Sequence, residues 1–166
     1  MTYRLMAAAL MSAFCLGAQP VAAQAVMSAD EVAKVKAEVA AAAQDYLVTF
    51  SGRDLKGMYE RIYASPSAVF GPNGAVLIPA EKTKSNYEAI YVDLAKLEYD
   101  HSDFKNPVIC VLSANSAIAS GAFQRYKKDG TLIAEQSAAF VYGKTPEGWR
   151  VMAPLSLQKN KHITCD

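Results

Sequence analysis

The segment VICVLSANSAIASGAFQRYKKDGTLIAEQSAAFVYGKTPEGWRVMAPL, residues 108–155, decides the fold. It divides into four apolar runs, Val108 to Leu112, Ala117 to Tyr126, Leu132 to Tyr142 and Trp149 to Leu155, each of which reads as a strand. Asp129-Gly130 and Pro146-Glu147-Gly148 stand between the later runs, in the manner of hairpin turns. Connections this short reverse the chain, so the strands follow one another as an antiparallel meander.

Upstream of this segment the apolar spacing is helical. Ser28 with Glu31 forms a capping-box pattern, and Val32, Val35, Val39, Ala43, Tyr46, Leu47 and Phe50 then recur on one face of a long helix that Gly52 is placed to end. Asp54 can cap a second, shorter helix with the apolar face Leu55, Met58, Tyr59 and Ile62. Pro66 stops that pattern, and two short strand runs, Ala68 to Phe70 and Ala75 to Ile78, flank the turn Gly71-Pro72-Asn73-Gly74. A second capping box, Ser85 with Glu88, opens a third helix carrying Ile90, Tyr91, Leu94 and Leu97. Three helices in the N-terminal half followed by a meander predict an α+β fold, with the helices laid on the concave face of a curved sheet. The space between those layers is where a ligand would sit.

The first 25 residues have a different character. Arg4, the apolar run Leu5 to Leu16, the breakers Gly17 and Pro20, and the small residues Ala22, Ala23 and Ala25 follow the pattern of a cleavable secretory signal, cut after Ala25 or after Ala23. The apolar run is shorter than the roughly 20 residues that span a bilayer. Phe14 directly before Cys15 is too large for a lipoprotein signal, so Cys15 is expected to leave with the leader. The expected product is one domain, residues 26–166, in the periplasm or outside the cell. It keeps two cysteines, Cys110 and Cys165, which in an oxidising compartment either bridge or remain as two thiols with Cys110 a small buried hydrophobe. Seventeen basic against sixteen acidic residues leave a charge of +1, which gives no field to gather nucleic acid or an anionic membrane. His101 and His162 are isolated and no Cys/His spacing suits zinc, so neither metal nor other cofactor is expected.

This order of elements resembles the nuclear transport factor 2-like superfamily, which includes SnoaL-like cyclases, ketosteroid isomerases and scytalone dehydratases. The matching pieces are Gln44-Asp45-Tyr46, Gly52-Arg53-Asp54-Leu55, Tyr63-Ala64, Phe70-Gly71-Pro72-Asn73-Gly74, Asn115 to Gly121, and Gly148-Trp149-Arg150-Val151. The resemblance implies a cone-shaped sheet with an open pocket. Among its ketosteroid isomerases, Tyr46 looks like the tyrosine that donates to the dienolate oxygen. Their catalytic aspartate precedes the strand proline, and Gly71 holds that place here; their second, acidic donor would fall near Gln136 or Ser137. Trp149 is followed by Arg150-Val151-Met152-Ala153-Pro154-Leu155, without the histidines of other branches. The resemblance therefore carries the scaffold and not the isomerase mechanism. It also implies that a second copy can pair through the outer sheet face.

Several residues stand out for chemistry. Tyr46, Tyr59, Tyr63, Tyr91 and Phe70 either line the pocket, each tyrosine offering a ring and one hydroxyl, or pack in the core. His101 and Asp103, two apart on a strand and expected to share a face with Tyr99, form the one His/Asp pair available for acid-base work, or else a solvated strand end. Glu135 is either a buried general base or an outward-facing carboxylate. No nucleophile elbow or glycine-rich phosphate loop is present, and Lys127-Lys128 belongs to a turn. The expected function is that of an exported binding or accessory protein for a small apolar molecule. The alternative is a cyclase, dehydratase or isomerase that uses Glu135 or the His101 and Asp103 pair.

Overall fold

The computed structural model describes residues 26–71 and 74–165. The leader, Cys15, the centre of the Pro72-Asn73 turn and the last residue lie outside that range. Helix α1, Ala29–Ser51, starts at the capping box foreseen for it: the Glu31 amide donates to Ser28 Oγ at 3.2 Å and the Ser28 amide to the Glu31 carboxylate at 2.7 Å. Its buried stripe is Val35, Val39, Ala43, Tyr46, Leu47 and Phe50.

Gly52 keeps a right-handed conformation at the end of α1, and the chain reverses one residue later at Arg53, with φ 55°. The guanidinium of Arg53 holds that conformation by donating to the Tyr99 carbonyl at 2.8 Å. Asp54 then caps helix α2, Leu55–Gly57, by accepting from the Gly57 amide at 2.8 Å. The chain continues as a wider π turn over Met58–Ile62, closed by the Tyr63 amide on the Met58 carbonyl.

Strands β1, Ser67–Gly71, and β2, Gly74–Ile78, form a separate antiparallel hairpin. Helix α3, Ala80–Lys96, begins six residues before the expected start. Pro79 is its cap: the Lys82 and Thr83 amides both reach the Pro79 carbonyl, and a proline loses nothing there because the first amides of a helix have no partner within it. Ser85 instead hydrogen-bonds back to the Lys82 carbonyl within the helix.

Strands β3, Tyr99–Ser113, β4, Ser116–Lys127, β5, Leu132–Thr145, and β6, Gly148–Ser156, make one antiparallel sheet in sequence order. Gly130 and Gly148 take positive φ at the two later turns, as read from the sequence. The three helices pack against this curved sheet. Its curvature has a local cause. Between Lys105 and Val108 the β3–β4 register slips, Asn106 turns left-handed with φ 47°, and Gly121 lies opposite on β4. A Cβ at Gly121 would stand 2.8 Å from the Lys105 carbonyl oxygen and 3.0 Å from the Phe104 ring, so a side chain there would push the two strands apart.

Two further ties close the molecule. Glu38 of α1 accepts from Trp149 Nε1 at 2.8 Å and Lys144 Nζ at 2.7 Å, fastening the helix to the β5–β6 hairpin; these bonds hold its carboxyl below the ordinary range. On the opposite side of the sheet the tail crosses β3 and β4, bridged by Cys110–Cys165, with the Ile163 amide on the fully buried Ser120 hydroxyl at 2.9 Å. The tail thus covers part of the outer face. No helix among the described residues is long and apolar enough to cross a membrane.

Reducing the Cys110–Cys165 bridge, which spans 55 residues, is expected to cost about 4 kcal/mol by restoring unfolded-chain entropy. Calorimetry with and without reductant should show the midpoint fall by about 10 °C; an unchanged midpoint would mean that the tail contributes nothing. Gly121→Ala is expected to cost about 1–3 kcal/mol in urea unfolding, because the opposing carbonyl is backbone and cannot rotate away.

Candidate functional site

Between α1, α3 and the sheet lies a hollow of two adjoining lobes, each about 190 Å³. The first is floored by Tyr46, Phe50, Phe123 and Phe140 and edged by Arg125 and Gln136. The second lies toward the β1–β2 hairpin, against Ser67, Val69, Ile78, Thr83 and Asn86. Tyr63, Tyr87, Ile90 and Pro154 border both lobes. For comparison, a dry apolar cavity of roughly 150 Å³ admits a benzene ring.

Alternation along the strands selects these residues. On β4, Phe123 and Arg125 point inward while Gln124 and Tyr126 turn out; on β5, Gln136 and Ala138 point inward while Glu135 turns out. The helices supply the rest. Phe50 is 1% exposed and meets the rings of Tyr46, Tyr87, Tyr91, Tyr99 and Phe123 at centroid distances of 5.5–6.0 Å. Burial and ring contact on that scale stabilise the fold by about 3 kcal/mol for this one side chain.

A chain of phenols crosses the hollow. Tyr87 donates to Tyr63 Oη at 2.7 Å, and Tyr46 and Tyr87 share a longer hydroxyl contact of 3.4 Å. One side chain comes from α1, one from α3 and one from the turn leading to β1, so these bonds tie together the three helical segments. Burial pushes all three phenols upward from the ordinary tyrosine range, Tyr63 and Tyr87 the furthest because each also faces the other oxygens. They are therefore donors and hydrogen-bond relays at neutral pH.

Among the described residues Arg125 is the one charged side chain on either lobe. Its guanidinium carbon lies 5.8 Å from the Phe50 centroid and 5.6 Å from that of Phe123. Its Nε is buried without a hydrogen-bond partner, and no carboxylate pairs with it among the described residues. Ser67 Oγ, on the second lobe, is likewise buried and unpaired.

The residues singled out in the sequence divide into two groups. Tyr46 and Tyr63 meet in the hollow. Tyr91 packs beside it on Phe50 and Tyr87, with its hydroxyl buried and unpaired. Tyr59 lies on an outer groove with Glu60, Glu147 and Arg150, and Phe70, 55% exposed, sits on the hairpin away from both lobes. Glu135 is exposed on the outer face, where Gln124 Nε2 donates to it. His101 and Asp103 are also outside: a register slip between Tyr99 and His101 places Tyr99 inward, bonded to Ser102 and Ser51, and turns the other two away from it. They do not pair with each other, since His101 bonds Asp100 and stacks on Tyr126, while Asp103 pairs with Lys105. Among the described residues no cluster of three His, Cys, Asp or Glu side chains could hold a metal ion.

Tyr87, Phe50, Phe123, Phe140 and Arg125 are lining residues that nothing in the sequence singles out for the site. Tyr87 falls in the first turn of a helix opened at Ser85, where its partners on the inner face are not evident. With a start at Ala80, the spacing Thr83, Tyr87, Leu94 marks its inner face.

The phenol chain has a pH signature. Its folded-state ionisation lies above the unfolded tyrosine value of about 10, so the stability it confers is complete below that pH and is lost as pH rises beyond it. Titration should show these three phenols ionising only together with loss of the helical circular dichroism. Phenolate absorbance from Tyr46, Tyr63 and Tyr87 in a still-folded protein would contradict the burial.

Comparison with known proteins agrees with this architecture. No curated protein matches the sequence. Among solved structures, an NTF2-like protein with a cystatin-like fold from Novosphingobium aromaticivorans superposes with a TM-score of 0.61 at 12% identity, covering 75% of this chain and 82% of its own. An NTF2-like superfamily protein from Salmonella enterica gives 0.56 at 19% identity, covering 78% and 94%. A ketosteroid isomerase-like protein from Erwinia carotovora atroseptica gives 0.52 at 19% identity, covering 74% and 95%. At these identities the likeness is one of fold. The family model described as NTF2-like protein (DUF6841) matches residues 37–158, from the middle of α1 to just past β6, and the chain belongs to that NTF2-like family.

Proposed function

We propose that this chain is an exported protein that binds a small, largely apolar molecule in the hollow between its helices and its sheet. The observation that carries the reading is the composition of the walls. They are aromatic rings and aliphatic groups interrupted by a few phenols, amides and hydroxyls and one arginine, the mixture that holds an apolar body and orients it by few polar contacts. Export is supported by the leader-like start of the sequence and by the Cys110–Cys165 bridge, which suits an oxidising compartment.

The same walls speak against the cyclase, dehydratase or isomerase alternative. Proton abstraction needs a base within hydrogen-bond reach of the substrate. Neither lobe is lined by a carboxylate, an imidazole or a thiol among the described residues, and the phenols hold their protons too tightly to serve. Glu135, His101 and Asp103, on which that alternative rested, stand on the other side of the sheet.

A metabolite screen by thermal shift tests the proposal. A ligand at a hundred times its Kd adds about 2.7 kcal/mol, which raises the midpoint of a domain this size by roughly 8 °C. Tyr46→Trp, which fills the first lobe, should abolish that rise. If no compound stabilises the wild type more than Tyr46→Trp, the hollow is not a binding site.

A further inference from the structure

Three buried side-chain polar atoms have no hydrogen-bond partner among the described residues: Arg125 Nε, Ser67 Oγ and Tyr91 Oη. Buried groups of this kind are rare because each loses its hydration without replacement, at roughly 1–3 kcal/mol and more where charge is involved. Two of the three stand on the walls of the hollow, and they stand on different lobes, Arg125 on the one lined by Phe123 and Gln136, Ser67 on the one lined by Val69 and Asn86. Between them run the shared walls of Tyr63, Tyr87, Ile90 and Pro154.

Resting on the binding role proposed above, we infer that the ligand is a carboxylic acid, bound as its anion by Arg125, whose apolar body crosses the shared walls and ends in a hydroxyl or similar group at Ser67. Among the described residues the guanidinium is the single formal charge on the lining, and it lies over the uncharged rings of Phe50 and Phe123. The other described arginines are engaged elsewhere: Arg53 on the Tyr99 carbonyl, Arg61 on Asp45 and Arg150 on the Glu60 carbonyl. Arg125 is also held in place before any ligand arrives, by its contacts over Phe50 and Phe123, and this lowers the ordering cost of binding. A planar carboxylate matches the fork of a guanidinium with two parallel bonds. Gln136, on the same lobe, offers an amide as a further donor. A single cation sets the charge of the partner at one. A phosphate ester would bring a second negative charge into a wall of aromatic rings with nothing to neutralise it.

The experiment compares 4-phenylbutanoate with its neutral isostere 4-phenylbutanamide, by calorimetric titration on the full mature chain at pH 7. The wild type should bind the acid at least tenfold more tightly than the amide, and Arg125→Met should remove that preference. With 4-(4-hydroxyphenyl)butanoate the wild type should gain a further severalfold, a gain that Ser67→Ala removes. Equal affinity of the wild type for acid and amide overturns the inference and leaves the binding role standing. Failure of the wild type to bind either probe, together with a ligand screen in which nothing outperforms Tyr46→Trp, overturns both. The wild-type comparison decides the matter even if Arg125→Met does not fold.

Discussion

The bend in the sheet is the constraint from which the remaining structure follows. Where β3 slips against β4 between Lys105 and Val108, two residues are accommodated without ladder partners, and Gly121 lets the facing strand approach the Lys105 carbonyl. Slips of this kind increase local twist and bend the bulged strand. A flatter sheet would meet α1 along its whole length and leave only side-chain interstices between the layers. The bend instead lifts one end of the sheet away, so that long side chains from both layers, Phe50 and Tyr46 on one side and Phe123 and Phe140 on the other, close the gap partially and leave two lobes. The hollow thus follows from the curvature of the sheet, to which this slip contributes, and is filled to the extent that aromatic rings can reach.

Much of this was legible in the sequence, and the part that was not has a common cause. Strand and helix periods, the turns at Gly130 and Gly148, the capping box at Ser28 and the pairing of Cys110 with Cys165 are local or compositional signals, and all have their counterpart in the structure. Which face a strand residue takes is different, because a single unpaired residue inverts every assignment beyond it. Tyr99 and His101 read as neighbours on one face under strict alternation; the slip between them separates them. Glu135 and Gln136 differ by one position, and the sequence alone offers no reason to prefer the amide over the carboxylate as the inward side chain. The misplaced start of α3 is of the same nature. Ser85 and Glu88 form a good capping pattern, yet Pro79 offers a competing start more than one turn earlier, which adds the buried Thr83 to the inner face. Packing decided what local propensity left open.

Charge is distributed in a way that the overall balance conceals. A net charge of +1 reads as featureless. In the structure the carboxylates with ion-pair partners are engaged at the surface: Asp45 with Arg61, Asp93 with Lys96, Asp103 with Lys105, Glu98 with Lys127. Pairs this exposed contribute little to stability, about 0–1 kcal/mol each. Their consequence is rather that acidic groups are drawn to the periphery, and the one charge left facing the hollow is positive. A chain with almost no net charge can therefore still present one positive group to its hollow.

Stability and binding are held by different parts of the same sheet. The outer face carries the disulfide, the tail and the polar string from His101 through Tyr126 and Gln124 to Glu135. The inner face carries the rings and the unpaired Arg125. Because inward and outward residues alternate, each strand serves both, and a substitution on one face leaves the other's contacts in place. This division explains how an interior with unsatisfied polar atoms can persist: the bridge to Cys165 and the fastening of α1 through Glu38 supply stability from outside the hollow, so the hollow itself need not be packed to its limit. The buried, unpaired Nε of Arg125 is tolerable under that condition.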